Sequence, residues 1–239
     1  MMRLLTWDVK DTLIRIRHSV GEQYYSEAKS HGLRVDPEIL NKCFHLAYRR
    51  QKEIFPNYGL GSGLNSRQWW IDTAKLTFRL CGIEEERVLS PIAEKLYTDF
   101  CTAKNWEVFP DVQPVLTDCK KLGFRMAVIS NFDRRLEQIL LHCNLRQYFE
   151  FVMTSEEAGI AKPNTGIFLK TISVAGVDPK VTTHIGDDYW NDYRAAREAG
   201  FESYLLKREG DLNSLEDVVP MEYVIQSLEE LPTKLMKLC

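Results

Sequence analysis

No uninterrupted apolar run approaches the roughly 18 residues of a membrane-spanning helix, and the first apolar segment, Leu4 to Trp7, is too short and too early for the hydrophobic region of a signal sequence. An intracellular protein, cytoplasmic in the first instance, is the expectation, with nucleus and mitochondrion left open. An excess of one charge is lacking as well. The 31 basic and 34 acidic residues leave a net charge of -3, so no broad basic field exists for nucleic acid or for an anionic membrane surface. Any electrostatic recognition has to be local, and protein partners leave no mark in the composition. The six cysteines, Cys43, Cys81, Cys101, Cys119, Cys143 and Cys239, contain no Cys-x-x-Cys pair and no histidine-rich spacing, so neither a zinc site nor a disulfide framework is indicated. The five internal ones read as small buried apolar side chains, in the reduced state of a cytosolic chain. Repeats and low-complexity tracts are also missing. What remains, 239 residues of which 44% are hydrophobic, is enough for one large domain or for a core with an insert.

The stretch around which the chain is organised is Leu4-Leu5-Thr6-Trp7-Asp8-Val9-Lys10-Asp11-Thr12-Leu13. Leu4 to Asp8 is apolar on both sides of the alternation, as a parallel strand covered on both faces would be. Such a strand delivers its last residue, Asp8, to the carboxyl edge of the sheet, where open α/β sheets place their ligands.

From about Ile14 to Asn105 the periodicity is helical with no convincing strand. It predicts helices over Val20–Ser30, Pro37–Ile54, Arg67–Cys81 and Val88–Cys101. Asp36 before Pro37 is a good cap and first residue, and Ser66 is placed to cap the third helix. Between the second and third lies Phe55-Pro56-Asn57-Tyr58-Gly59-Leu60-Gly61-Ser62-Gly63, whose proline and three glycines force a loop. After Trp106 strands and helices alternate. Strands are expected at 125–130, 149–153, 181–185, 203–206 and 223–225, and helices at 112–122, 134–143, 165–174, 190–199 and the end of the chain. That rhythm predicts right-handed crossovers and a parallel sheet, an α/β protein with a helical insert.

Four short motifs fall at strand ends or helix starts in order. Asp8 ends the first strand, Ser130-Asn131 the second, Lys162-Pro163 precedes a helix, and Gly186-Asp187-Asp188-Tyr189-Trp190-Asn191-Asp192 follows the strand ending at Ile185. A Lys-Pro is usually a solvated loop, and Ser-Asn is ordinary turn chemistry. Gly-Asp-Asp is more telling, because three carboxylates within six residues repel one another unless a cation neutralises them.

In this order the motifs resemble those of the haloacid dehalogenase-like hydrolase superfamily, and the likeness extends over essentially the whole chain. The resemblance implies a Rossmann-like parallel core at 1–14 and 106–239, with an all-helical cap domain at 15–105. It also implies that Asp8 is a nucleophile. Mg2+ would be held by Asp8, the backbone carbonyl of Lys10 and Asp187, with Asp188 or Asp192 in support. Ser130 and Lys162 would serve the phosphoryl oxygens, with Thr12 and Asn131 as substrate-binding residues beside them. The physical logic is that a phosphoryl group repels an attacking carboxylate unless a divalent cation screens and aligns the two.

Lys10 departs from the pattern, since the family's phosphatases carry there an Asp that acts as acid and base. An ammonium with an ordinary pKa of about 10.4 donates a proton but accepts none near neutrality. Dehalogenases also lack that Asp, yet they work without metal and lack an acidic cluster like Gly186-Asp187-Asp188, which disfavours carbon–halogen hydrolysis here. Of the remaining residues, Tyr58 and Arg67 near the glycine-rich loop are candidate substrate contacts. Trp69 and Trp70 divide between core and surface, because neighbouring helical residues point about 100° apart. His184 reads as packing, and Arg49, Arg50 and Lys52 as a solvated helix face. The leading expectation is a magnesium-dependent phosphatase-type hydrolase acting on a small phosphorylated metabolite, its activity modified or weakened by Lys10. The alternative is a catalytically inactive binding module that retains the phosphate pocket.

Overall fold

The computed structural model describes residues 3–210 and 218–236. Its centre is a parallel sheet built from β1 (Leu4–Trp7), β4 (Arg125–Ser130), β5 (Val152–Thr154), β6 (Thr182–Gly186), β7 (Glu202–Leu206) and β8 (Val224–Ile225), in the order β5-β4-β1-β6-β7-β8. The two remaining strands, β2 (Ile14–Ile16) and β3 (Trp106–Val108), pair with each other. The helical periodicity had hidden β2. All four residues of β1 are buried, as the double-sided apolar pattern requires.

Register decides what meets at the sheet's carboxyl edge. Trp7 lies opposite Val128 of β4 on one side and Ile185 of β6 on the other, and the Asp8 amide donates to the Ile185 carbonyl at 2.9 Å. The residues that follow these three neighbouring strand positions, Asp8, Ile129-Ser130 and Gly186-Asp187, therefore emerge together. Gly186 is the one position there where a side chain has no room, since a Cβ would run into Asp192.

The chain divides into two compact units. One comprises the residues up to Arg15, Val108–Phe132 and those from Asn144 onward, and the other Ile16–Glu107 with Asp133–Cys143. The second unit is helical: α1 (Val20–Ser30), α2 (Pro37–Ile54), α3 (Ser66–Leu80) and α4 (Glu86–Asp99). Local signals start each of the first three. Ser19 and Glu22 form a capping box on α1, Asp36 accepts from the Glu38 amide ahead of α2, and Asn65 accepts from the Gln68 amide ahead of α3. Asn65 thus takes the cap expected of Ser66, which is the first residue of α3 and is buried. The shared apolar face is Tyr24, Leu40, Phe44, Ile71, Phe78, Leu89, Ile92 and Leu96, with Tyr24 stacked on Phe78 at 5.8 Å. In the loop before α3, Asn57, Tyr58 and Gly59 all have positive φ, a conformation a tyrosine adopts only at a cost.

Two further helices are α5 (Val112–Lys121), in the sheet unit, and α6 (Arg135–His142), which groups with the helices although it follows β4 in sequence. A buried ion pair explains the grouping of α6. Arg135 donates from Nε and Nη2 to the Asp133 carboxylate at 2.9 and 2.8 Å, and Trp70 Nε1 donates to the same carboxylate at 2.7 Å. The guanidinium lies over the rings of Trp70 and Tyr97, 4.6 and 5.0 Å from their centroids. Trp69 is buried and Trp70 partly exposed, the division expected of adjacent helical residues. Instead of a uniform helix at 190–199, the chain makes a wide turn at Tyr189–Arg194 and then a short helix at Ala195–Glu198. Among the described residues no helix is long and apolar enough to cross a membrane. The described cysteines form no disulfide, and Cys239 lies outside the described residues.

The Asp133–Arg135 pair makes a stability prediction. Arg135→Ala leaves a carboxylate buried without its cation, a change that costs about 3–5 kcal/mol in buried pairs. Urea unfolding should show that loss, and Asp133→Asn combined with Arg135→Met should recover most of it. An Arg135→Ala protein as stable as wild type would sink the assignment.

Candidate active site

Lys162 is the hub of the carboxyl edge. Its ammonium is buried and donates to Asp8 Oδ1 at 2.7 Å, Asp192 Oδ1 at 2.5 Å and the Ile129 carbonyl at 3.0 Å. All three donors of the ammonium are thereby used. Ser130 Oγ donates to the same Asp8 oxygen at 3.2 Å. The Thr12 hydroxyl lies 3.0 Å from Asp187 Oδ1 and 3.5 Å from Asp8 Oδ2, so its one proton goes to Asp187. Asp8, Ser130, Lys162, Thr12, Asp187 and Asp192, distant in sequence, are brought into one cluster.

Other expected site residues have different contacts. Asn131 accepts from the Lys162 amide at 2.7 Å and donates to the Lys162 carbonyl at 2.9 Å, so its amide clamps the backbone that carries the lysine. Asp188 accepts from the amides of Trp190 and Asn191 at 2.8 and 2.7 Å and starts the wide turn that brings Asp192 back. Lys10 is half-exposed and pairs with Asp11 at 2.5 Å, and Asp11 adopts a φ of 63°. Tyr58 lies edge-on to Trp69, with ring centroids 5.4 Å apart, and Arg67 pairs with Glu94, both within the helical unit.

Two residues make contacts that the sequence does not signal, one of them His184, which reads there as packing. His184, opposite Thr6 in the register of β1 and β6, has Nδ1 2.9 Å from the Thr6 hydroxyl and Nε2 3.2 Å from Asp192 Oδ1. Arg208 donates to the Thr12 carbonyl at 2.8 Å while gripping Asp111 with both terminal nitrogens, and so holds the turn that carries Thr12. No spacing in the chain signals these contacts, because each depends on which distant segments the fold brings together.

The cluster is electrostatically loaded. Burial pushes the Asp8 carboxyl up to about 7, and Asp192 and Asp187 add to the rise against the pull of Lys162. Asp187 is pushed up to about 6, by burial and then by Asp192, with the Thr12 hydrogen bond opposing. Burial would raise Asp192 too, but the charge of Lys162 and the hydrogen bond from His184 outweigh it and hold Asp192 well below the usual carboxylate range. Lys162 is raised: burial disfavours its charge, and Asp192 and Asp8 more than compensate. Burial also lowers His184, against the hydrogen bond and charge of Asp192. Lys10 is raised, since its hydrogen bond to Asp11 and the charges of Asp11, Asp187 and Asp8 overcome burial. It is an ammonium at neutral pH.

Carboxylate oxygens of Asp8, Asp187 and Asp192 lie within 4.8 Å of one another. Three buried or part-buried carboxylates against one contacting ammonium form an all-oxygen, net-anionic donor set, the chemistry that hard divalent cations take. Two of the three, Asp8 and Asp187, are pushed well above the usual carboxylate range, which is the cost of crowding that charge without a further cation.

A model of the haloacid dehalogenase-like hydrolases matches residues 2–200. The chain belongs to that family. It is 53% identical over 235 residues to haloacid dehalogenase-like hydrolase domain-containing protein 3 of Xenopus laevis, covering 98% of this chain and 96% of that protein. Among solved structures it is similar to a 2-haloacid dehalogenase from Pseudomonas syringae pv. Tomato DC3000, with a TM-score of 0.72 and 22% identity over the whole of both chains. It is also similar to the HAD-hydrolase YfnB of Bacillus subtilis bound to magnesium, with a TM-score of 0.71 and 15% identity, covering 98% of this chain and 99% of that one. At these identities the two structures establish the fold.

The raised carboxyls set a pH dependence. A carboxyl whose pKa is higher folded than unfolded binds more protons in the folded state, so its contribution to stability is greatest below about 4 and is lost as pH rises. For Asp8 the loss runs up to about 7 and for Asp187 up to about 6. Without divalent cations, the melting temperature of wild type should fall relative to Asp8→Asn between pH 4.5 and 7.5. Parallel curves for the two proteins would show that Asp8 is not raised.

Proposed function

We propose that this hydrolase is a magnesium-dependent phosphatase-type enzyme that uses Asp8 as nucleophile on a small phosphorylated molecule. The observation that carries the reading is the joint approach of Lys162 and Ser130 to one oxygen of a buried Asp8. A carboxylate flanked by an ammonium and a hydroxyl donor is arranged to receive an anionic, oxygen-rich group, and those two donors can pass from Asp8 to phosphoryl oxygens when the group arrives. Asp8, Asp187 and the backbone carbonyl of Lys10 would hold the cation, with Asp192 keeping Lys162 in place beside them. When bound, Mg2+ supplies charge screening between the carboxylate and the phosphoryl group.

The chain's own residues then divide the work. Asp8 attacks as the ionised carboxylate. Lys162 neutralises charge that develops on the phosphoryl oxygens, and Ser130 orients one of them. Thr12 holds Asp187 toward the cation. Lys10, an ammonium paired with Asp11, can protonate a leaving oxygen, and only the neutral amine left by that transfer could then take a proton from water. The helical unit is assigned as the enzyme's cap domain, with Tyr58 and Arg67 as its candidate substrate contacts.

That same charged amine favours the second reading, a phosphate-binding module without turnover. A panel of phosphate esters with Mg2+, run on wild type, Lys10→Asp and Asp8→Asn, separates the two. Restoring a carboxylate at position 10 should raise turnover by about 10²-fold, the lower end of a general acid/base contribution. Asp8→Asn should abolish it, and Asp187→Asn should weaken magnesium binding measured by calorimetry. Turnover in none of the proteins, with magnesium and phosphate demonstrably bound, would establish the binding module, and a fall on Lys10→Asp would make Lys10 the catalytic acid.

A further inference from the structure

His184 lies wholly buried in the middle of the sheet, its ring edge-on to Phe168 at 5.1 Å, and yet both of its nitrogens have polar partners. Packing alone does not require that, since Leu or Phe would fill the space without a polar group to satisfy. The partners determine the tautomer. An ionised carboxylate only accepts, so Nε2, 3.2 Å from Asp192 Oδ1, carries the hydrogen. Nδ1 is then bare and accepts from the Thr6 hydroxyl, 2.9 Å away.

The oxygen that His184 touches is also the one that anchors the lysine. Asp192 Oδ1 accepts from His184 and from Lys162, while Asp192 Oδ2 accepts from the Asp188 amide at 3.0 Å. A carboxylate held at both oxygens cannot turn about its last bond. That matters because Lys162 is a point charge on a flexible four-carbon stem, placed only by what receives its three donors. Without a fixed Asp192, the ammonium would keep Asp8 and the Ile129 carbonyl as partners and lose its lateral anchor.

We propose that His184, with its tautomer set by Thr6, is a positioning residue: it fixes Asp192, and through Asp192 the place of the Lys162 ammonium beside Asp8. What Lys162 then does for a phosphoryl group rests on the function proposed above, whereas the hydrogen-bonded chain Thr6–His184–Asp192–Lys162–Asp8 stands on geometry within the sheet unit.

The test compares wild type with His184→Leu, His184→Gln and Thr6→Val. Three quantities are read: the 15N resonances of the His184 ring, the Nζ resonance of Lys162, and the affinity for inorganic phosphate in the presence of Mg2+. Wild type should show a protonated Nε2 and a bare Nδ1. His184→Leu should shift the Lys162 resonance and weaken phosphate binding by roughly tenfold or more, the scale of one hydrogen bond to a charged group. His184→Gln, whose amide reaches where Nε2 does, should restore most of both, which a purely structural role would not produce. Thr6→Val should disturb the ring's tautomer and the Lys162 resonance together, and it carries the test if His184→Leu does not fold. A hydrogen on Nδ1 in wild type would overturn the proposal, as would a Lys162 resonance indifferent to all three substitutions. So would a folded His184→Gln no better than His184→Leu. If wild type binds no phosphate, the functional reading fails by itself and the two resonances still decide the role of His184.

Discussion

One ammonium holds the site together. Lys162 bridges Asp8 and Asp192, two carboxylates that burial and mutual repulsion would otherwise keep apart or protonated. An unpaired buried charge costs several kcal/mol, so each of the three residues is tolerable only with the others in place. The neighbouring structure serves that bridge. Asn131 grips the lysine's backbone at both its amide and its carbonyl, and Gly186 leaves space for the Asp192 side chain. Asp188 spends its carboxylate on starting the wide turn that returns Asp192 to the strand it follows. The parallel register of β1 with β4 and β6 then does the rest, since it brings three chain segments to the same edge of the sheet without any further device.

Charge in this cluster is finely divided between protons, lysine and the position a cation would occupy. Lys162 neutralises one carboxylate outright, Asp192, and shares itself with Asp8. Asp187 is pushed up by burial and by the charge of Asp192, and the hydrogen bond from the Thr12 hydroxyl only partly offsets this. A site of this kind favours a divalent cation at high pH and protons at low pH, on the same carboxylates. Under the proposed function, nucleophile and cation ligand are therefore enabled by the same deprotonation.

Most of the sheet was legible in the chain because its strands announce themselves by local composition. Leu4 to Trp7 is apolar without alternation, and Arg125 to Ser130 ends in polar residues at the edge where ligands bind. Asp8, Ser130, Lys162 and Asp187 were recognisable as a set by their order and by a family resemblance, and the fold brings them into one place. The parts that were not legible depend on pairings across the sheet. His184 looks like filler when its strand is read alone, and only the register that sets it opposite Thr6 and near Asp192 reveals both nitrogens engaged. Asn131 likewise reads as turn chemistry until Lys162, thirty-one residues on, supplies its partners. β2 was hidden because three residues paired with a distant three leave no periodicity. The placement of α6 with the helical unit rests on Trp70 meeting Asp133, two residues 63 positions apart.

Lys10 changes the charge balance as well as the acid/base chemistry. Relative to an aspartate at the same position it alters the local charge by two units, beside Asp8 and Asp187, whose fields already raise its own pKa. Part of that charge is returned by Asp11, in a left-handed conformation that an aspartate tolerates better than most residues and with its carboxylate on the Lys10 amine. The pair Lys10–Asp11 is thus nearly neutral as a unit, where a single acidic residue would have added to a cluster that is already hard to ionise. Under the proposed function this would be a gain in phosphoryl binding, because one fewer negative charge opposes the group's entry. For the proposed hydrolysis it would be a loss, because the resting ammonium at position 10 has no lone pair with which to take the proton of an attacking water. Under the proposed function, Lys10 would thus move the site toward holding the anion and away from releasing it. Fast turnover would then need either the amine freed by a first proton transfer or a base from elsewhere in the cluster.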